Sequence, residues 1–592
     1  MQQREFLAVR STLARRLCSA AISVTVTLAT MSGVAVILTG PMAGAARASD
    51  VTASRNNLRT GWDRDEPGLS AAALRSGSFG RLFSRQLRGQ VYAQPLIVGR
   101  TLIVATERDW AYGLNAVTGR VKWADRLGTP WSASTTACTD LTPTVGVTST
   151  PVYDPRTAAV YLVAEVISSS TGQAGFLMFG IKARTGHISE RVPIGGRPFN
   201  DRAATFDAAD QWQRTGLLLL GGRVYAGFGS HCDDKPFAGF VAGVNVSTRA
   251  VRLWTDETGP ADAEGGIWQA GGGLMSDGPG RIFFASGNGA SPAPGKGSKP
   301  PGQLGESVVR LAVLPGGRLA ARDFFSPRDA PALDATDGDL GSGGPVGLPF
   351  GTTAFPRLLV QAGKDGRVFL LNRDHLGGRM QGRGGGNDDV SETGPFAGQW
   401  GHPAVFGDVT NVTPGDSGKS RDYVYYVGRA DYLRVLKFGV SRGGRPRLTD
   451  VANSAIRFGF TSGSPVVTSA GTRPGSAVVW VVLAAGITGS KGTLEAFAAV
   501  PRARCAEHCV LRPIWSARIG TASKFAIPAT GSGRVYVGTR DGRVIAFGRR
   551  ASAPLRQPAP DATIARIRAG GVTGPVLSAG TDDPKRSDGS NR

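Results

Sequence analysis

The stretch Val91-Tyr-Ala-Gln-Pro-Leu-Ile-Val-Gly-Arg-Thr-Leu-Ile-Val-Ala-Thr-Glu107 and, three residues later, Ala111-Tyr-Gly-Leu-Asn-Ala-Val-Thr-Gly-Arg-Val-Lys-Trp123 together decide the fold. The first strand opens on a small residue and Pro. A turn and a β-branched strand ending in Ala or Gly follow. A third strand runs into a Thr-Gly turn, and a fourth closes on Trp. Four short antiparallel strands of this kind make one blade of a propeller.

The same grammar recurs along the chain. It returns at Ser149–Tyr153 with Val160–Ala164, at Gly216–Leu220 with Val224–Gly229 and Trp254, and from Trp268 through Arg281–Gly287. Further copies are Gly344–Val346 with Leu358–Gly363, His402–Val405 with Tyr423–Gly428, Gly463–Val467 with Val478–Leu483, and Phe525–Pro528 with Arg534–Phe547. The eighth copy lacks an outermost strand. A strand near Gly80–Arg88 precedes the first copy and has no partners of its own. Lending it to the last blade would close the ring and protect both open edges. The expected fold is therefore all-β: an eight-bladed propeller over residues 80–548, with seven blades and an insertion as the alternative.

Composition agrees. The 592 residues include 84 Gly and 36 Pro, a turn-rich makeup that suits short strands. The formal charge of +23 comes mostly from scattered Arg, without a basic helix or a basic-aromatic stripe, which argues against nucleic acid. It is compatible with association with an anionic cell-wall polymer. Residues 1–48 read as a signal peptide, with Arg4, Arg10, Arg15 and Arg16 ahead of an apolar run from Ala20 to Leu38 and cleavage near Ala48. The run is also long enough for a retained anchor. A secreted or cell-envelope location follows as an expectation. Residues 49–79 should be a polar lead-in wrapping the outside of the disc, 290–305 and 380–397 loop-like insertions, and 549–592 a disordered tail.

Four cysteines remain after the signal, which in an oxidising compartment suggests two disulfides. Cys505 and Cys509 are close enough to staple one loop, leaving Cys138 for Cys232. No zinc-ligand or haem-attachment spacing is present, and no metal site is expected.

The run Gly113–Trp123 resembles the tryptophan-docking repeat of quinoprotein dehydrogenases. Over roughly residues 55–548 the chain resembles exported bacterial PQQ-like (pyrroloquinoline quinone) β-propeller proteins. That resemblance rests on Gln94-Pro-Leu, Gly229–Asp233, Gly265–Trp268, Gly341–Pro345 and Lys524–Pro528. It implies the quinoprotein alcohol dehydrogenase-like fold and, as an alternative cofactor, PQQ with calcium. The chain departs from that pattern: it lacks the two adjacent cysteines of the calcium-type enzymes, and only its first unit carries a complete docking motif.

In a propeller the residues just ahead of each innermost strand meet on one face. These positions nominate Gln94, Arg214, Trp268, Gln269, Trp400, His402 and Lys524 as axial ligand-binding candidates, with Asp337, Asp339 and Glu264 on the rim. Aromatic faces stack, while Arg and Lys hold carboxylates or phosphates. Alternatively, Arg214 and Lys524 pair with Asp337 or Asp339 and simply fill the channel. Asp233-Asp234 reads as solvated loop charge. The functional expectation is an extracellular binding or scaffold protein with a small-molecule, glycan or protein ligand at the propeller face. The alternatives are a PQQ-dependent dehydrogenase of alcohols or sugars, or a carbohydrate-active enzyme.

Overall fold

A computed structural model describes residues 51–136, 138, 141–259, 264–407, 421–501 and 508–550. The expected signal segment, and all but the first two residues of the expected tail, lie outside the described residues. Eight small antiparallel sheets stand in a ring, each numbered outward in hydrogen-bond order from the axis. Blade 1 comprises Leu96–Val98, Thr101–Ala105, Trp110–Asn115 and Val121–Arg126. Blade 8 comprises Ala529–Gly531, Arg534–Gly538 and Arg543–Arg549, and its outermost strand is Phe79–Gln86. Phe79 faces Arg549 and Gln86 faces Arg543, so the beginning of the propeller completes its end as expected. In blade 4 the innermost strand shrinks to one bridge, Met275 to Phe283.

The blades pack face on face, so their central strands are covered on both sides and read as unbroken apolar runs. Val478–Val482 and Leu358–Val360 are fully buried. Among the described residues, eight apolar clusters each span two neighbouring blades; one joins Tyr161, Val163 and Phe176 to Val224, Phe228 and Phe240. Trp123 shows how a docking tryptophan acts. Its indole lies flat on Gly113, where a Cβ would stand 2.2 Å from the ring, and its Nε1–H donates to the Ala183 carbonyl of blade 2 at 3.1 Å.

The lead-in does not wrap the disc. It winds through the centre, hydrogen-bonding one innermost strand after another. The Val51 carbonyl accepts from Tyr153 of blade 2, Leu58 from Gly347 of blade 5, Thr60 from Val405 of blade 6, and Gly61 from Val467 of blade 7. Trp62–Asp63 pairs parallel with Val466–Thr468, and Asp63 then accepts from Thr530 of blade 8 at 2.9 Å. Arg59 is wholly buried and donates to the carbonyls of Leu274, Leu217 and Ala53 at 2.7–3.0 Å. The inner edges of the ring offer unpaired carbonyls and N–H groups, and this polar segment satisfies them as water otherwise would. That is why a stretch without hydrophobic periodicity is buried.

One further expectation changes and one holds. Residues 380–397 are not wholly loop, because Ser391–Thr393 is the outermost strand of blade 5. Cys138 and Cys232 are joined, 94 residues apart in sequence. Cys509 is disulfide-bonded, while Cys505 lies outside the described residues.

Candidate functional site

Above the plug, the loops leading into the innermost strands surround a cavity of about 250 Å³. Tyr92 enters from blade 1, Leu141 from the loop ahead of blade 2, Trp212 and Arg214 from blade 3, and Trp268 from blade 4. Asp339 and Ser342 come from blade 5, Trp400 from blade 6, Phe460 from blade 7, and Lys524 with Phe525 from blade 8. Cys232, Asp233 and Lys364 reach in from loops between second and third strands. The eightfold repeat thus turns one sequence position into a ring of side chains.

Five of the ten axial and rim candidates line this cup: Arg214, Trp268, Trp400, Lys524 and Asp339. The other five do not. Gln94 is buried and accepts from the Ser54 amide of the plug at 2.9 Å. Gln269 is buried and accepts from Ala285 N at 3.1 Å. His402 points down to Ser54 Oγ at 2.5 Å and to the Pro403 carbonyl at 2.7 Å, and burial lowers its pKa to about 4. Asp337 stands mostly exposed on the rim. Glu264 pairs with Lys235.

The aromatic walls are held in place. Trp268 lies against Gly229, Gly266 and Gly287, where a Cβ would come within 2.7, 2.3 and 2.7 Å of its ring, and its Nε1–H donates to Ser230 O at 2.8 Å. Trp400 meets Phe460 edge-on at 4.8 Å and stacks toward Phe525 at 6.5 Å. Arg214 lies over Tyr92 at 5.8 Å and donates to the Lys524 carbonyl at 3.1 Å.

Charge is distributed unequally. Lys364 takes the rim carboxylates: its Nζ pairs with Asp339 at 2.7 Å and with Asp337. Asp339 also accepts from Asn288 N at 2.7 Å. Asp233 is partly buried rather than solvated. Burial, reinforced by the Asp339 carboxylate and opposed by Lys364, raises its pKa to about 7. This carboxyl can therefore exchange a proton near neutrality inside the cup. Beneath it, His231 stacks on Trp212 at 6.0 Å and faces Glu165 at 3.5 Å. Nearby, burial raises Glu107 to about 7 and Asp109 to about 9.

No family model matches the sequence, and no curated protein matches it. Similarity appears among solved structures. A quinohemoprotein alcohol dehydrogenase from Comamonas testosteroni aligns over 88% of this chain and 83% of its own, at 15% identity and a TM-score of 0.55. A quinohemoprotein alcohol dehydrogenase from Pseudomonas putida HK5 covers 87% and 82%, at 13% identity and TM-score 0.55. A europium-containing methanol dehydrogenase covers 85% and 98%, at 12% identity and TM-score 0.51. The chain shares its eight-bladed propeller architecture with these solved structures. At these identities the likeness establishes architecture alone.

The residues present fit the two parts of a quinone-metal cofactor differently. A ring of aromatic faces with Arg214 and Lys524 suits a planar anion such as PQQ. A divalent cation fits poorly: among the described residues no three His, Cys, Asp or Glu side chains are grouped to hold one, and the Lys364 ammonium lies between Asp337 and Asp339.

Proposed function

We propose that this propeller is a binding protein whose axial cup takes a compact, planar or ring-shaped anion. The observation carrying this reading is convergence: six aromatic rings (Tyr92, Trp212, Trp268, Trp400, Phe460 and Phe525) and the cations Arg214 and Lys524 meet around one small cavity. Its volume is at the low end for small-molecule sites, which suits a single ring system better than a polymer. Rings would stack on the tryptophans, and the guanidinium and ammonium would take carboxylate or phosphate oxygens. The plug closes the axis below, so ligand enters and leaves by one mouth. An extracytoplasmic location belongs to the same proposal and rests on the sequence of residues 1–48.

The second reading is a PQQ-dependent dehydrogenase. It is favoured by the shared architecture and by the same aromatic, cationic lining. PQQ bound there would supply a two-electron acceptor for alcohol or sugar oxidation. The tryptophans would hold its plane, Arg214 and Lys524 its carboxylates, and Asp233 would accept or hold a proton. We derive no step through calcium.

Tryptophan fluorescence titration with a panel of aromatic carboxylates, acidic sugars and PQQ, with and without calcium, tests both. Saturable quenching that weakens in Lys524→Gln supports the binding reading. Dye-linked alcohol oxidation after PQQ loading would replace it with the dehydrogenase reading. Release of reducing ends from cell-wall glycans would replace it with a carbohydrate-active enzyme. Absence of quenching across the panel would overturn the proposed cup.

A further inference from the structure

A second concave site lies on the rim of the disc and shares no residue with the cup. It is a groove of about 560 Å³ between the outermost strand of blade 3, Val251–Thr255, and the turn at Pro315–Arg318 ahead of the outermost strand of blade 4. Four arginines line it, Arg197, Arg202, Arg252 and Arg318, and no carboxylate does. All four are exposed, and none forms an ion pair among the described residues. The neighbouring acid, Asp201, is turned to the backbone: it accepts from Ala203 N at 2.9 Å and Gly259 N at 3.0 Å.

The arrangement is more than scattered surface charge. Phe199 is 42% exposed, the one exposed aromatic ring among the described residues. Its ring carries two guanidinium groups, Arg202 at 5.4 Å and Arg318 at 4.9 Å from the centroid. Two like charges gathered on one phenyl repel each other, and an anion lying between or over them offsets that repulsion. The loop that brings them there is anchored, with Phe199 N donating to Leu253 O at 2.8 Å. Arg197 is braced as well, donating to the carbonyls of Arg202 at 2.7 Å and Ala203 at 3.2 Å.

We propose that this groove binds a linear phosphate polymer. Planar guanidinium forks match phosphate oxygens two by two, and four of them lining one groove without counter-charges suit several phosphates on a flexible chain better than one carboxylate. The phenyl face is already covered by guanidinium, so recognition runs through phosphate rather than through stacking of a sugar or base.

The test uses short-chain inorganic polyphosphate as the probe, with binding to the intact protein measured by calorimetry at two salt concentrations. Two double variants are compared, each removing two exposed charges: Arg202→Gln with Arg318→Gln in the groove, and Arg442→Gln with Arg447→Gln on blade 6. The groove variant should bind about tenfold more weakly with a shallower salt dependence, and the blade 6 variant should bind like the parent. Equal loss in both variants would reduce the effect to net charge and overturn the proposal, as would absence of polyphosphate binding. A second arm offers vesicles of anionic phospholipid. Binding to vesicles without binding to polyphosphate would also overturn it, in favour of a lipid headgroup. Circular dichroism and melting of both variants guard against a folding defect, and Arg202→Lys with Arg318→Lys, which keeps charge but removes the forks, should recover only part of the affinity.

Discussion

The two ends of the propeller axis are built from the same eight repeats and end up opposite in character. At one end the loops ahead of the innermost strands hold an open cup of rings and charges. At the other, residues 51–66 fill the channel and leave Arg59 without solvent contact. The strand edges facing the axis are much alike at both ends. What differs is the source of the groups that meet them: side chains from the ring itself at the cup, a separate segment of backbone at the plug. A propeller supplies a hole, and the material that fills it decides whether the hole is a pore or a vessel.

The sharpest test of that contrast removes a plug contact. Arg59→Ala would strand the carbonyls of Leu217 and Leu274 in a dry interior, and should cost about 3–5 kcal/mol in urea unfolding. Anion binding at the cup should survive at temperatures where the variant is folded. If stability is unchanged, the plug is not structural. Next in size is the Cys138–Cys232 link, which ties the cup wall across 94 residues of sequence. Replacing both by Ser should cost about 2–4 kcal/mol. Because Cys232 lines the cavity, ligand affinity should fall as well.

Asp109 supplies a smaller effect, with a defined sign. Its folded pKa is about 9, raised mainly by burial and then by Glu107 and Glu165. Its contribution to stability is whole below the pKa of an unfolded aspartate and is lost as pH rises toward 9, because the unfolded chain ionises first. Asp109→Asn should therefore be close to neutral at pH 5 and stabilising by about 1–2 kcal/mol at pH 8, read as melting temperature against pH. His402 works in the opposite direction. Its folded value of about 4 means that its contribution is whole above pH 6.5 and is lost as pH falls toward 4. The mildest change is Lys524→Gln, which should leave unfolding almost untouched yet weaken an anionic ligand about tenfold. A large stability loss there would blur the distinction between cup and plug.

The ring was legible in the sequence because its signal is repeated and local: a small residue with Pro, an apolar strand, a Gly turn. The closing strand, Phe79–Gln86, could be read from the edge it had to cover. The plug was not legible. Val51–Glu66 is polar and aperiodic, and its burial depends on hydrogen bonds with backbone N–H and carbonyl groups about a hundred to four hundred residues away. The cup was legible by position but not by orientation. Gln94, Gln269 and His402 hold the same place in the repeat as Arg214 and Trp400, yet their side chains turn inward to meet backbone. Lys364 escaped notice and Asp233 was read as solvated charge, because both belong to loops between second and third strands. Phe525 and Trp212 sit one and two residues from recognised positions, so a wider window would have found them.

The pairing of Phe79–Gln86 with Arg543–Arg549 has a bearing on how the molecule comes into being. A strand made early must wait for the last one, with more than four hundred and fifty residues between Gln86 and Arg543. Such a distant contact makes closure the slow, late event of assembly. A nascent or truncated chain that stops short of Arg549 carries two bare edges, each able to recruit a neighbour, so a single missing strand would turn a sealed disc into a seed for aggregation.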